Sequence, residues 1–214
     1  MRLFSLLFLF FLTACNQNEG ASSLQQNVQN IKITYTILAL GDSLTEGLGV
    51  TQEDSYPSQL QRLLPKNIKV VNAGLSGETS SGLLSRLDWV LKQKPDLTIL
   101  NIGANDAMRG LPLDLTAKNI DNAIIHIKQS GSSVILAGMQ IYENLGSDYV
   151  NEFKGIYPHL AKKHKVGFVP FFLEGIAGNP NYNQDDGIHP NASGYKIIVE
   201  NSILPAVLSH LESL

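Results

Sequence analysis

Short apolar runs alternate with amphipathic segments from about residue 31 to the end of the chain, and this alternation limits the fold more than any other feature. Thr34–Leu40, Lys69–Asn72, Leu97–Ile102, Ser133–Ala137 and Gly167–Val169 read as strands. The third is a continuous apolar run of the kind that a strand buried on both faces shows. Between them, Tyr56–Leu64, Ser80–Lys92, Leu115–Lys128 and Tyr149–Lys163 read as helices, and Ala192–Leu211, capped by Asn191, as the last. Leu83, Leu84, Leu87 and Leu91 recur at the spacing of one helix face, as do Ile120, Ile124 and Ile127. Strand and helix in strict alternation imply an α/β fold: a parallel sheet of five strands in a three-layer α/β/α sandwich.

Three of the strands end alike, at Leu40-Gly41, at Asn72-Ala73-Gly74 and at Ile102-Gly103. Polar residues follow each: Ser43, then Ser76-Gly77-Glu78, then Asn105-Asp106. A fourth polar stretch, Asp185-Asp186-Gly187-Ile188-His189-Pro190, lies just before the last helix. Right-handed crossovers bring such stretches together at the carboxyl edge of the sheet, where ligands bind in open α/β folds.

Serine becomes a nucleophile when a neighbouring base takes its proton. Histidine suits that task because its unperturbed pKa is about 6.5. Of the five histidines, His126 and His159 fall in helices, His164 in a basic segment and His210 near the C-terminus. His189 differs, because it stands in a Gly/Asp/Pro loop three residues after Asp186. That spacing lets a turn bring the carboxylate to one ring nitrogen, with Asp185 as the competing carboxylate. Donors for a developing oxyanion would be the Ser43 N–H, the backbone at Gly77 and the Asn105 amide. The plainer readings are a helix N-cap for Ser43, a turn glycine for Gly77 and a loop-stabilising side chain for Asn105. Met108, Leu111, Ile141, Tyr142 and Phe172 lie in loops that could border the cleft as an acyl pocket.

Other chemistries fit poorly. With 16 Lys and Arg against 19 Asp and Glu, a net charge of -3, the chain lacks the basic surface that nucleic acid requires. Lys162-Lys163-His164-Lys165 reads as the solvated end of a helix. The elbow G-x-S-x-G fails at Thr45, and Gly47-Leu48-Gly49 fails as a dinucleotide fingerprint because Gln52 stands at the third glycine position. No Walker A stretch occurs, and the spacing of His and Cys offers no zinc site.

The N-terminus reads as a targeting segment. Met1-Arg2 is a brief basic start and Leu3–Leu12 an apolar core too short to span a bilayer comfortably. Leu12-Thr13-Ala14-Cys15 resembles a bacterial lipoprotein signal, in which the cysteine becomes lipidated residue one; it is the chain's only cysteine. Residues 1–14 are then the signal peptide, residues 15–30 a polar tether and residues 31–214 the catalytic domain. The expected location is the bacterial cell envelope, as a membrane-anchored lipoprotein facing the periplasm or exterior.

Together, Gly41-Asp42-Ser43-Leu44, Asn72 through Ser80, Gly103-Ala104-Asn105-Asp106 and Asp186-Gly187-Ile188-His189-Pro190 resemble the four blocks of the SGNH hydrolases, also called the GDSL lipase/esterase family. Leu87-Asp88-Trp89, Ala107-Met108-Arg109-Gly110, Ile156-Tyr157-Pro158 and Pro170-Phe171-Phe172-Leu173 are similar to its arylesterase, acyl-CoA thioesterase I and lysophospholipase L1 branch. The resemblance implies a flavodoxin-like sheet and a Ser43–His189–Asp186 triad. It also implies an oxyanion hole from Ser43, Gly77 and Asn105, with no cofactor and no metal. The substrate it implies is a short- to medium-chain acyl ester or thioester. Carbohydrate or cell-wall O-acetyl esters are the alternative within enzymes, and an inactive lipid-anchored binding protein is the alternative outside them. Glu78 stands where an Asp is common and Ala104 where many members have a second Gly. The loop Gln140–Gly146 lacks the prolines that many arylesterases carry there, which bears on the shape of the acyl pocket.

Overall fold

The structure, a computed structural model, describes residues 34–214. The segments expected to be the signal peptide and the tether, with Cys15 and the first residues of the expected domain, lie outside the described residues. Five strands, β1 (Tyr35–Gly41), β2 (Ile68–Gly74), β3 (Leu97–Asn101), β4 (Ser133–Ala137) and β5 (Gly167–Val169), form one sheet in the order β2-β1-β3-β4-β5. Every pairing is parallel. This is the flavodoxin-like order, and the chain reverses direction across the sheet at β1. Gly41 lies level with Gly74 on one side and Asn101 on the other, so three adjacent loops leave the sheet from the same height.

Ile37–Leu40 and the apolar residues of β3 have no exposed surface. Strands so buried read as unbroken apolar runs, which is why these two are legible. β2 is an edge strand with Lys69 and Asn72 exposed, and it runs further at both ends than its short apolar pattern indicates. Helices α2 (Tyr56–Leu63), α3 (Ser80–Leu91), α5 (Leu113–Gln129) and α6 (Ser147–His164) match the amphipathic segments within a few residues. α3 packs on α5 and α5 on α6, covering one face; α2 packs with the C-terminal helices on the other.

Two single-turn helices, α1 (Ser43–Glu46) and α4 (Ala104–Met108), are too short to leave a periodic signal. The C-terminal helix is not continuous. α7 (Ala192–Ile198) passes through a π turn, Val199–Ile203, before α8 (Leu204–Glu212). Pro205, in the first turn of α8, has no N–H to donate back, which favours a break in the regular ladder just before it.

Candidate active site

β1 ends at Gly41, and α1 starts two residues later. Asp42 is the cap of α1: its carboxylate accepts from the Leu44 N–H at 3.1 Å. The capping role open to Ser43 is thus taken by its neighbour, and the Ser43 hydroxyl is left to bond His189 Nε2 at 2.9 Å. Close approach holds α1 in place. A Cβ on Gly74 would come within 2.1 Å of the Glu46 nitrogen, so β2 must end in glycine for α1 to lie against it.

His189 stands in a closed loop. The Gln184 N–H donates to the His189 carbonyl at 2.8 Å, and Asn183 bridges Pro190. Inside it, Asp186 Oδ2 is 2.6 Å from His189 Nδ1, while Asp186 Oδ1 accepts from the N–H groups of Ile188 at 2.9 Å and His189 at 3.0 Å. Partial burial alone would raise the Asp186 pKa. The backbone N–H of His189 outweighs it, together with the imidazole and the Ile188 N–H, and lowers the group to about 2. Asp186 is therefore a carboxylate throughout the neutral range. Asp185 is exposed and makes no side-chain hydrogen bond among the described residues. Two of the other histidines are engaged elsewhere. His164 pairs with Asp121 at 2.5 Å, and His210 meets the Tyr35 hydroxyl at 3.0 Å.

Asn105, in α4, reaches Asp42 Oδ2 with its amide nitrogen at 3.5 Å. An amide has a second N–H, and Asn105 is on the wall of the cleft beside Ser43. Asp42 is fully enclosed, and burial drives its pKa up. The Leu44 N–H, His189 and Asn105 oppose that rise, Glu78 adds to it, and the net position is about 7. Gly77 has φ +75, a left-handed conformation that side chains rarely adopt, and its carbonyl accepts from Arg109 Nη2 at 2.9 Å. Arg109 caps α4, so this bond ties the Gly77 loop to the helix that carries Asn105. Gly77 itself is exposed and is not one of the cleft walls.

Two polar residues expected at the cleft are turned away from it. Asp106 is 2% exposed and accepts from the Ser80 N–H at 2.8 Å and the Ser80 hydroxyl at 2.5 Å, which pins the start of α3 to α4. Glu78 is buried against Arg86, with Nε to Oε1 at 2.6 Å and Nη2 to Oε2 at 2.5 Å. Arg86 also donates to the Ala73 carbonyl at 2.8 Å. Buried carboxylates need such partners, and one-dimensional spacing does not reveal them.

Next to Ser43 and His189 opens a cleft of about 450 Å³. Met108, Ile141 and Tyr142 line it as the sequence suggests; Leu111 and Phe172 do not. Phe172 is fully buried, edge-on to Tyr56 at 5.3 Å, while its neighbours Phe171 and Leu173 face the cleft. The chain turns here, with the Glu174 N–H donating to the Phe171 carbonyl at 3.3 Å, so adjacent side chains take different directions and a shift of one residue exchanges wall for core. Met139, Leu145 and Ile188 complete the apolar wall, and no periodic signal marks them. Among the described residues, no cluster of His, Cys, Asp or Glu is arranged to hold a metal ion, and no helix is long and apolar enough to cross a membrane.

A serine hydroxyl bonded through imidazole to a carboxylate, set on an open parallel sheet without the G-x-S-x-G elbow, places the molecule among the serine hydrolases of flavodoxin-like fold. The model of the GDSL-like lipase/acylhydrolase family matches residues 39–197, and the chain belongs to that family. An arylesterase of Vibrio mimicus is 35% identical over 94% of each chain. The thioesterase 1/protease 1/lysophospholipase L1 of Escherichia coli is 35% identical over 77% of this chain and 80% of that one. The crystal structure of the psychrotrophic esterase EstA from Pseudoalteromonas, inhibited by monoethylphosphonate, superposes with a TM-score of 0.78 at 30% identity, covering 83% of this chain and 98% of that one. The protein is a carboxylic ester hydrolase.

Proposed function

We propose that the protein hydrolyses short- to medium-chain acyl esters and thioesters through an acyl-enzyme on Ser43. His189 Nε2 takes the hydroxyl proton as Ser43 Oγ attacks the acyl carbonyl. The Ser43 N–H and the free N–H of the Asn105 amide, both at the cleft wall, receive the charge that develops on the carbonyl oxygen, and the third donor that the family resemblance implies is the Gly77 N–H. The carbon–oxygen or carbon–sulfur bond then breaks, and His189 returns the proton to the leaving alcohol or thiol. Water, deprotonated by the same imidazole, releases the acid and restores the serine. Asp186 keeps the ring in the required tautomer and balances the imidazolium.

The observation that carries this reading is the unbroken contact from Asp186 Oδ2 through both ring nitrogens to Ser43 Oγ, at 2.6 and 2.9 Å. The apolar walls beside Ser43 support an acyl chain rather than a sugar as the group held there. A p-nitrophenyl ester series from acetate to decanoate, run on the wild type and on Ser43→Ala, tests both parts. The expected results are a maximum at short to medium chains and a loss of at least about 10³-fold in kcat/KM in the variant. A folded Ser43→Ala protein that keeps its turnover would refute the assignment. A preference for acetylated xylan or peptidoglycan over every aryl ester would move the substrate to O-acetyl polymers. We further propose, from the Leu12-Thr13-Ala14-Cys15 motif, that the mature chain is held at the cell envelope by a lipid on Cys15.

A further inference from the structure

We propose that Tyr142 is a positioning residue for the catalytic loop, acting through the carbonyl of Gly187. The inference rests on the Ser43–His189–Asp186 reading and adds a residue to it. The Tyr142 hydroxyl donates to the Gly187 carbonyl at 2.8 Å. That carbonyl and the Ile188 N–H belong to one peptide group, and the Ile188 N–H donates to Asp186 Oδ1 at 2.9 Å. A hydrogen bond accepted at the oxygen of a peptide strengthens the donor at its nitrogen. One line of contacts therefore runs from the phenol, through a peptide, to the carboxylate, to the imidazole at 2.6 Å and to Ser43 Oγ at 2.9 Å.

The anchoring of the loop shows why this contact matters. Its base is well held: Gln184 bonds the His189 and Pro190 carbonyls from within, and its amide donates to the Leu48 carbonyl at 2.7 Å. Its tip, residues 185–188, is held only from inside the loop, except at this point. Among the described residues, Tyr142 makes the one hydrogen bond that reaches the tip from another element. Gly187, at φ +69, has no side chain of its own to restrict rotation of the peptide. Tyr142 also lines the cleft, as Gly187 and Ile188 do, so the bond joins two of its walls. The residue separates two roles that substitution can tell apart: the hydroxyl acts on the catalytic loop, the ring on the acyl group.

Tyr142→Phe keeps the ring and removes the hydroxyl. The expected result is a fall of about 3- to 10-fold in kcat, the worth of one hydrogen bond, with the KM for each ester unchanged. The fall should be the same factor for acetate, butyrate and octanoate esters, because no part of the acyl wall is lost. The rate of Ser43 modification by a fluorophosphonate should drop by a similar factor in the folded variant. A purely structural contact would lower the thermal midpoint and leave these rates at wild-type values; that outcome overturns the proposal. A loss confined to the longest esters also overturns it, since the residue would then be only a wall. If the wild type itself neither turns over esters nor takes up the phosphonate at Ser43, the parent reading fails and this one fails with it.

Discussion

Asp42 shows how one enclosed carboxyl can serve an exposed reaction. It caps α1, which frees the neighbouring serine, and it holds one N–H of the Asn105 amide. Burial raises its pKa to about 7, so the folded protein keeps this proton where an unfolded aspartate, near 3.9, has released it. Between those values the folded state binds more protons. The contribution of Asp42 to stability is thus complete at acid pH and is lost as pH rises through about 7. Asp42→Asn cannot titrate. Relative to wild type it should gain stability between about pH 4.5 and pH 7.5, read as the difference in denaturant midpoint. Parallel curves for the two proteins over that range would show that the carboxyl is ionised in the fold.

The ends of the elements are stitched together by polar side chains, not by the apolar core. The Arg86 and Glu78 pair lies where β2 passes into α3, and Arg86 also binds the Ala73 carbonyl at the end of β2. The Glu78 side chain is 3% exposed, so removing its partner strands a charge away from water. Arg86→Met should cost about 3 kcal/mol of unfolding free energy, measured by urea titration, and Arg86→Met with Glu78→Gln should recover much of it. Asp106 does the same work between α4 and α3 through Ser80. These pairs keep the Gly77 and Asn105 loops at the height of Ser43. They also explain why Glu78 and Asp106, four and five residues after the ends of β2 and β3, read as cleft residues when they are in fact supports.

At the scale of the molecule, the reversal at β1 is what gathers the site. β2, β1 and β3 are neighbours in the sheet, and their level ends lead to Gly77, Ser43 and Asn105 in that spatial order. The loop before α7 brings His189 in from 146 residues away in the chain. All of these groups lie after residue 39, where the family match begins. An anchor at Cys15 would therefore act on location and not on chemistry. Full-length protein expressed in bacteria should enter the detergent phase on Triton X-114 partition and Cys15→Ser should stay in the aqueous phase, with equal kcat on a soluble ester. Wild type in the aqueous phase would refute lipidation.

Alternation of apolar runs with amphipathic helices was enough to determine the strands, the parallel sheet and the edge on which chemistry is done, because burial imposes those periodicities on the residues themselves. That Ser43, His189 and Asp186 meet was legible for a related reason: few residue types suit the proposed roles of nucleophile, base and tautomer-setting carboxylate, and these three stand in or beside turns. What only the tertiary structure decided is which polar groups share a partner. That Asp42 and not Ser43 caps α1, that Asp106 and Glu78 are buried supports, that Phe171 and not Phe172 faces the cleft, and that Tyr142 clasps Gly187 all depend on contacts between segments far apart in the chain. Hydrogen bonds and side-chain direction are set by distances of a few tenths of an ångström, and local spacing along the chain does not encode them.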